Sequence, residues 1–149
     1  MKRVMLVSIF ILIGIYAYSQ SNEFVDRLLE TDSVNYGQAA YLVLVASDNL
    51  GEDADEARAF ELLQNFGWAA DSITAGQVID LKGYSFLLMQ AFGLPGGLMY
   101  TLFPSPRYAY RQLVSSLVIQ GRSDPVKLVS GEQAIRMLGR IFDVKGIAQ

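Results

Sequence analysis

One short polar signal occurs three times in this chain and constrains its fold more than any other feature. Asn35, Thr74 and Ser130 each stand three residues before a glutamine, the spacing of a helix capping box. In such a box the small side chain accepts a hydrogen bond from a free amide of the first turn, and the glutamine reaches back to the amide of the cap. An apolar residue precedes each cap. Three copies, each before an apolar run, indicate a chain built from helical repeats.

The middle copy opens the most apolar stretch of the chain, between Ile73 and Leu94. Asp80 and Lys82 are the charged residues inside it. A helix that is apolar on every side must be covered on every side. We therefore expect a central apolar helix near residues 75–92, ended by Gly93 in a left-handed conformation.

The remaining apolar periodicity predicts an all-α fold of about five to six helices in helix-loop-helix repeats. The other expected helices are 22–30, 36–47, 55–68, 106–119 and 131–142. In the helix over 55–68 we expect Ala59, Leu62, Leu63 and Phe66 to face the core. The second helix is rich in β-branched residues, so a strand is the alternative there.

The N-terminus has the organisation of a secretory signal peptide. Lys2 and Arg3 precede an apolar run over 4–18, and Ala17-Tyr18-Ser19 offers small residues to a signal peptidase. We expect residues 1–19 to be the signal peptide and residues 20–149 to form a single domain in the periplasm or cell envelope, without a membrane span after cleavage. The alternative is that the apolar run is kept as an anchor.

Composition excludes several kinds of site. The chain contains no Cys and no His, which removes disulfides, thiolate and imidazole zinc sites, and the usual serine and cysteine triads. The acidic stretch over 48–56 fails as an EF-hand, because Ala46 occupies the first ligand position. Carboxylates are the acid–base groups that remain, and they cluster in a loop. We therefore predict no catalytic residues, no metal and no cofactor.

Charge is distributed unevenly along the chain, whose net charge is −3. Residues 20–105 contain three basic and twelve acidic residues, whereas residues 106–149 contain seven basic and three acidic ones. One interpretation is a solvated surface with local pairing; the other is a basic face for an anionic polymer. The overall acidity argues against a nucleic-acid partner.

The segment from Pro95 to Pro104 is apolar yet bounded by helix breakers. It is either a packed connector or an exposed surface that docks on a protein partner through Leu98, Met99, Tyr100 and Phe103.

Residues 33–144 resemble the S-layer homology domain. The resemblance rests on Tyr108-Ala109-Tyr110, on Ile119 to Asp124, and on Val129-Ser130-Gly131-Glu132-Gln133, which follow one another in the family's order. The middle copy keeps Ile73-Thr74-Ala75-Gly76-Gln77. This resemblance implies three helix-loop-helix repeats and a non-catalytic role in binding a cell-wall polymer.

The chain departs from the family at the arginine that follows the cap and helps to hold the polymer. Tyr36, Ala75 and Gly131 occupy those positions, and Pro125 follows Asp124. Arginine suits bidentate contact with carboxylate or phosphate. We therefore place a ligand site at Arg107, Arg111, Gly121, Arg122 and Asp124; the alternative is a turn in which Asp124 accepts from local amides.

The sequence thus predicts an exported, non-catalytic module of the cell envelope that binds a wall polymer or an envelope partner. The alternative is a periplasmic assembly or accessory protein that docks on a protein through the segment over 95–104 and binds no glycan.

Overall fold

The structure, a computed structural model, describes residues 22–146. Seven helices and no strand lie within that range, which confirms the predicted all-α class. They are α1 (22–29), α2 (Tyr36–Ala46), α3 (Glu56–Asn65), α4 (Leu81–Ala91), α5 (Leu98–Leu102), α6 (Pro106–Ser115) and α7 (Gly131–Lys145). The predicted signal peptide over 1–19 lies outside the described residues.

The first and third predicted caps begin helices. The Asn35 side chain accepts from the Gln38 amide at 2.9 Å, and the Gln38 side chain accepts from the Asn35 amide at 3.1 Å, so α2 has a complete capping box. The Ser130 hydroxyl accepts from the Gln133 amide at 3.2 Å at the start of α7. These side chains satisfy amides that have no partner within their own helix.

The middle start signal was wrong. Helix α4 is capped by Asp80, whose Oδ1 accepts from the Gly83 amide at 2.8 Å, so it begins at Leu81 rather than near residue 75. Thr74 lies in a turn, where its carbonyl accepts from the Gln77 amide at 3.1 Å. The physical reason is that the carbonyls of Ala75 and Gln77 accept hydrogen bonds from the start of α2 instead of opening a helix of their own.

A closed ring of three backbone hydrogen bonds joins the residues before these caps. The Val34 amide donates to Val129 (2.8 Å), the Ile79 amide to Val34 (2.9 Å), and the Val129 amide to Ile79 (3.2 Å). All three side chains are fully buried. The ring therefore brings the N-terminal ends of α2, α4 and α7 together at the centre of the domain.

The first backbone amides of each of these three helices donate hydrogen bonds to carbonyls of the loop that precedes another of the three helices. The Tyr36 and Gly37 amides donate to Gln77 and Ala75, while the Leu81 and Lys82 amides donate to Lys127 and Pro125, all at 2.8–2.9 Å. The Gly131 amide completes the cycle by donating to Thr31 at 2.9 Å. The loops over 75–77 and 125–127 thus make the same kind of contact, each accepting from the first amides of whichever of these three helices comes before it in the chain.

Helix α4 occupies the middle of the domain, as its apolar sequence predicts. It packs against α2, α6 and α7, and it buries Tyr84, Leu87, Leu88 and Met89 almost completely. Gly93 follows it with φ 55°, the predicted left-handed conformation. Within residues 22–146, no helix combines the length and the apolarity that crossing a bilayer requires.

Three helix ends differ from the expected ones. Helix α3 ends at Asn65, so Phe66 lies outside it and is 44% exposed against Trp68 rather than facing the core. Helix α6 ends at Ser115, and Leu117, two residues later, adopts φ 61°. Helix α7 continues to Lys145, whose ammonium donates to the Phe92 carbonyl at 2.9 Å.

Candidate functional site

The structure divides the five predicted ligand residues between two places. Arg111 lines a cavity of about 250 Å³ beside α5, whereas Gly121 lines a groove beside α7. Arg107, Arg122 and Asp124 are exposed, but they line neither of these two cavities. Neither cavity is therefore lined by more than one of the five residues.

Asp124 has a local role in the turn before α7. Its Oδ1 accepts from the Val126 amide at 3.0 Å, and its carbonyl accepts from the Lys127 amide at 3.0 Å. The Tyr110 hydroxyl lies 2.9 Å from both the carbonyl and the hydroxyl oxygen of Ser123, which ties this turn to α6. The turn interpretation thus accounts for Asp124 without a ligand.

A concavity rich in basic side chains lies between the loop over 118–121 and α7. We call it the α7 groove; its volume is about 510 Å³. The basic side chains that line it are Lys127, Arg136 and Arg140, and the acidic one is Glu132. Polar Gln120, Ser130 and Gln133 also line it. This composition suits an extended anionic ligand.

Two of these cations contact neighbouring groups of the protein. Arg140 Nη1 donates to the Val118 carbonyl at 2.9 Å, and the Arg136 guanidinium pairs with Glu132 one turn earlier. Lys127 is exposed and also lines the groove. Sequence reasoning missed this cluster, although the spacing of Arg136 and Arg140 by four residues places both on one face of a helix.

A second groove lies at the corresponding position in the preceding part of the chain. Gly83 and Phe86 lie three and six residues after Asp80, the cap of α4. Gln133 and Arg136 lie three and six residues after Ser130, the cap of α7. Its volume is about 320 Å³, and aromatic and apolar residues dominate its lining, including Tyr36, Trp68, Ile73 and Phe86. Burial, and then the charge of Asp80, raise the pKa of Tyr36, so its hydroxyl remains neutral at physiological pH.

The positions directly after the three caps supply no cation to a ligand. The middle position is Leu81, not Ala75, and its side chain is fully buried. At Gly131 an added Cβ would lie 1.6 Å from the Leu28 carbonyl oxygen, so this backbone excludes any side chain. Tyr36 occupies the first position and lines the aromatic groove.

The segment over 95–104 is not packed into the core. It contains the short helix α5, which has no buried residue. Four large apolar side chains, which we call the α5 patch, are exposed: Leu98 (73%), Met99 (46%), Leu102 (58%) and Phe103 (62%). Tyr100, predicted to dock with them, is instead half-buried, and its hydroxyl accepts from Gln90 Nε2 at 3.0 Å.

No group of three or more His, Cys, Asp or Glu side chains within residues 22–146 is arranged to hold a metal ion. Comparisons with protein-family models, with curated proteins and with solved structures find no match to this chain.

Proposed function

We propose that this chain is an exported, non-catalytic module of the cell envelope that binds an anionic wall polymer in the α7 groove. The observation that carries the proposal is the convergence of Lys127, Arg136 and Arg140 on one concave surface. Guanidinium groups can form paired hydrogen bonds with the carboxylates or phosphates of such a polymer. The resemblance to S-layer homology domains and the ring joining α2, α4 and α7 support the same role.

This proposal moves the site away from the positions used by the family. Leu81 is buried and Gly131 has no room for a side chain, so neither can supply a cation. The α7 groove lies one to three turns further along α7 and takes its charge from side chains that point away from the core. Arg136 pairs with Glu132 at the exposed surface, so an anionic ligand would compete with that carboxylate for the guanidinium.

The test is retention of residues 20–149 on purified cell-wall sacculi across a salt series. The described core extends from Phe24 to Ile141, so this chain is expected to fold without residues 1–19. We expect Lys127→Gln/Arg136→Gln to reduce retention at least tenfold. The exposed ion pair of Arg136 contributes little to stability, so the variant should stay helical by circular dichroism.

Two further double variants make the result specific. Arg27→Gln/Arg58→Gln removes the same charge from exposed positions outside the groove and should retain binding. Arg107→Gln/Arg122→Gln tests the residues predicted from the sequence. Loss of retention in that variant alone would move the site to α6 and its adjoining turn. Absence of retention by the folded parent chain would refute polymer binding.

A further inference from the structure

The α5 patch is held in its exposed position by specific hydrogen bonds. The Gly97 amide donates to Gln112 Oε1 at 2.8 Å, which fixes the start of α5 on α6. Gln90 Nε2 donates to the Tyr100 hydroxyl at 3.0 Å, which fixes the middle of α5 on α4. With Tyr100 turned inward, Leu98, Met99, Leu102 and Phe103 remain exposed. Their exposure is therefore a consequence of how α5 is anchored.

The charge around this patch has a single sign along the chain. No Asp or Glu occurs between Asp80 and Asp124, whereas Lys82, Arg107, Arg111 and Arg122 lie in that interval. Arg111 lines the same small cavity as Leu98 and Met99. Lys82 pairs with Asp80 at 3.3 Å, whereas Arg107 and Arg111 form no ion pair within residues 22–146. Exposed apolar side chains next to such arginines form the combination that binds the interface of an anionic bilayer.

We propose that the α5 patch binds the surface of an anionic lipid bilayer. Leu98, Leu102 and Phe103 enter the boundary between headgroups and acyl chains, while Arg107 and Arg111 contact lipid phosphates. Burial of the apolar side chains drives insertion, and the arginines favour negatively charged headgroups. This association is peripheral, and it is separate from polymer binding in the α7 groove.

The charge pattern favours a bilayer over a second copy of the chain. A symmetric dimer through the α5 patch would use the same surface on both copies. Arg107 and Arg111 of both copies would then lie in or beside one interface, and this accumulation of like charge opposes association. A bilayer containing acidic lipids presents the complementary charge, and its fluid surface accommodates a helix as short as α5.

The experiment is vesicle flotation of residues 20–149 with two lipid compositions. One vesicle contains phosphatidylglycerol and phosphatidylcholine, and the other contains phosphatidylcholine alone. We expect at least tenfold tighter binding to the anionic vesicles, weakened by added salt. Leu98→Glu/Phe103→Glu should lose that binding at least tenfold while staying folded, because both side chains are more than half exposed.

Matched variants separate the patch from general effects. Leu29→Glu introduces a charge at an exposed leucine of α1 and should bind as the parent chain does. Arg107→Gln/Arg111→Gln should weaken binding to anionic vesicles several-fold more than Arg27→Gln/Arg58→Gln, which removes equal charge elsewhere.

Three outcomes would overturn the proposal. These are absence of binding to both vesicles, binding that the Leu98→Glu/Phe103→Glu variant leaves intact, and equal binding to neutral and anionic vesicles. A dimer in analytical ultracentrifugation that the same variant abolishes, without vesicle binding, would assign the patch to a second copy of the chain.

Discussion

Gly131 lies against the backbone of Leu28 so closely that a Cβ there would sit 1.6 Å from the Leu28 carbonyl oxygen. The same glycine donates its amide to the Thr31 carbonyl at 2.9 Å. One residue thus joins the end of α1 to the start of α7, and the absence of a side chain is what permits the contact.

We predict that Gly131→Ala destabilises the domain by about 3 kcal/mol or more, because backbone must move to admit the methyl group. Gly139→Ala is the matched control in the same helix, since an added Cβ meets nothing within 4 Å there. It should increase stability by about 0.5–1 kcal/mol through helix propensity. Urea denaturation of both variants measures the difference; similar effects would contradict the close approach at Leu28.

The cap of α4 gives a second prediction. Asp80→Ala should cost about 1 kcal/mol, because the Gly83 amide loses its acceptor. Thr74→Ala should change stability by less than about 0.5 kcal/mol, because Thr74 is exposed in a turn and caps no helix. Thermal or urea unfolding compares the two. A larger loss at Thr74 would place the helix start where the sequence pattern first predicted it.

Tyr84 gives a prediction for alkaline pH. Its side chain is fully buried, its hydroxyl donates to the Ala134 carbonyl at 3.0 Å, and burial raises its pKa above the ordinary value of 10.0. The unfolded chain therefore releases this proton at lower pH than the folded one. The stabilising contribution is complete below pH 10 and is lost as pH rises through the folded pKa.

Tyr84→Phe should cost about 1–2 kcal/mol at pH 7, because the Ala134 carbonyl loses its side-chain donor. The variant should also lose less stability than the parent chain between pH 9 and pH 11. Urea midpoints across that range provide the measurement. Equal alkaline losses in both proteins would show that Tyr84 does not contribute to the pH dependence.

Leu117 occupies a left-handed position that suits glycine. Its φ is 61°, its side chain is 67% exposed, and Gly67 has φ 71° at the corresponding end of α3. Leu117→Gly should stabilise the domain by about 0.5–1 kcal/mol, because the left-handed strain exceeds the entropy that glycine adds to the unfolded chain. Val126→Gly, at an exposed residue without positive φ, should destabilise by a similar amount. Chemical denaturation of this pair checks both signs.

Local signals predicted most of the fold, and they failed where tertiary contacts decide. The sequence was enough to predict the caps at Asn35 and Ser130 and the helix end at Gly93, because each depends on residues that are close along the chain. Thr74 had equally good local chemistry, but the loop that contains it supplies carbonyls to α2. A pairing between residues so distant in sequence leaves no trace in local spacing.

The candidate site was harder to predict for the same reason. Gly121 lines the α7 groove, but Arg136 and Arg140, which line it too, lie on the next helix and meet the loop only after folding. The sequence left two alternatives open for Leu98 and Phe103, which were packing in a connector and exposure on a docking surface. The anchoring of Tyr100 on Gln90 decided between them, and that contact depends on α4 lying beneath α5.

The ring that joins Val34, Ile79 and Val129 also determines the order of events in folding. Each of its bonds links segments far apart along the chain, so none can form until the loops between them have closed. A nascent chain that stops before Val129 leaves Val34 without its acceptor and Ile79 without its donor. We therefore expect the complete ring to form late in folding, after the helices that it joins have come together.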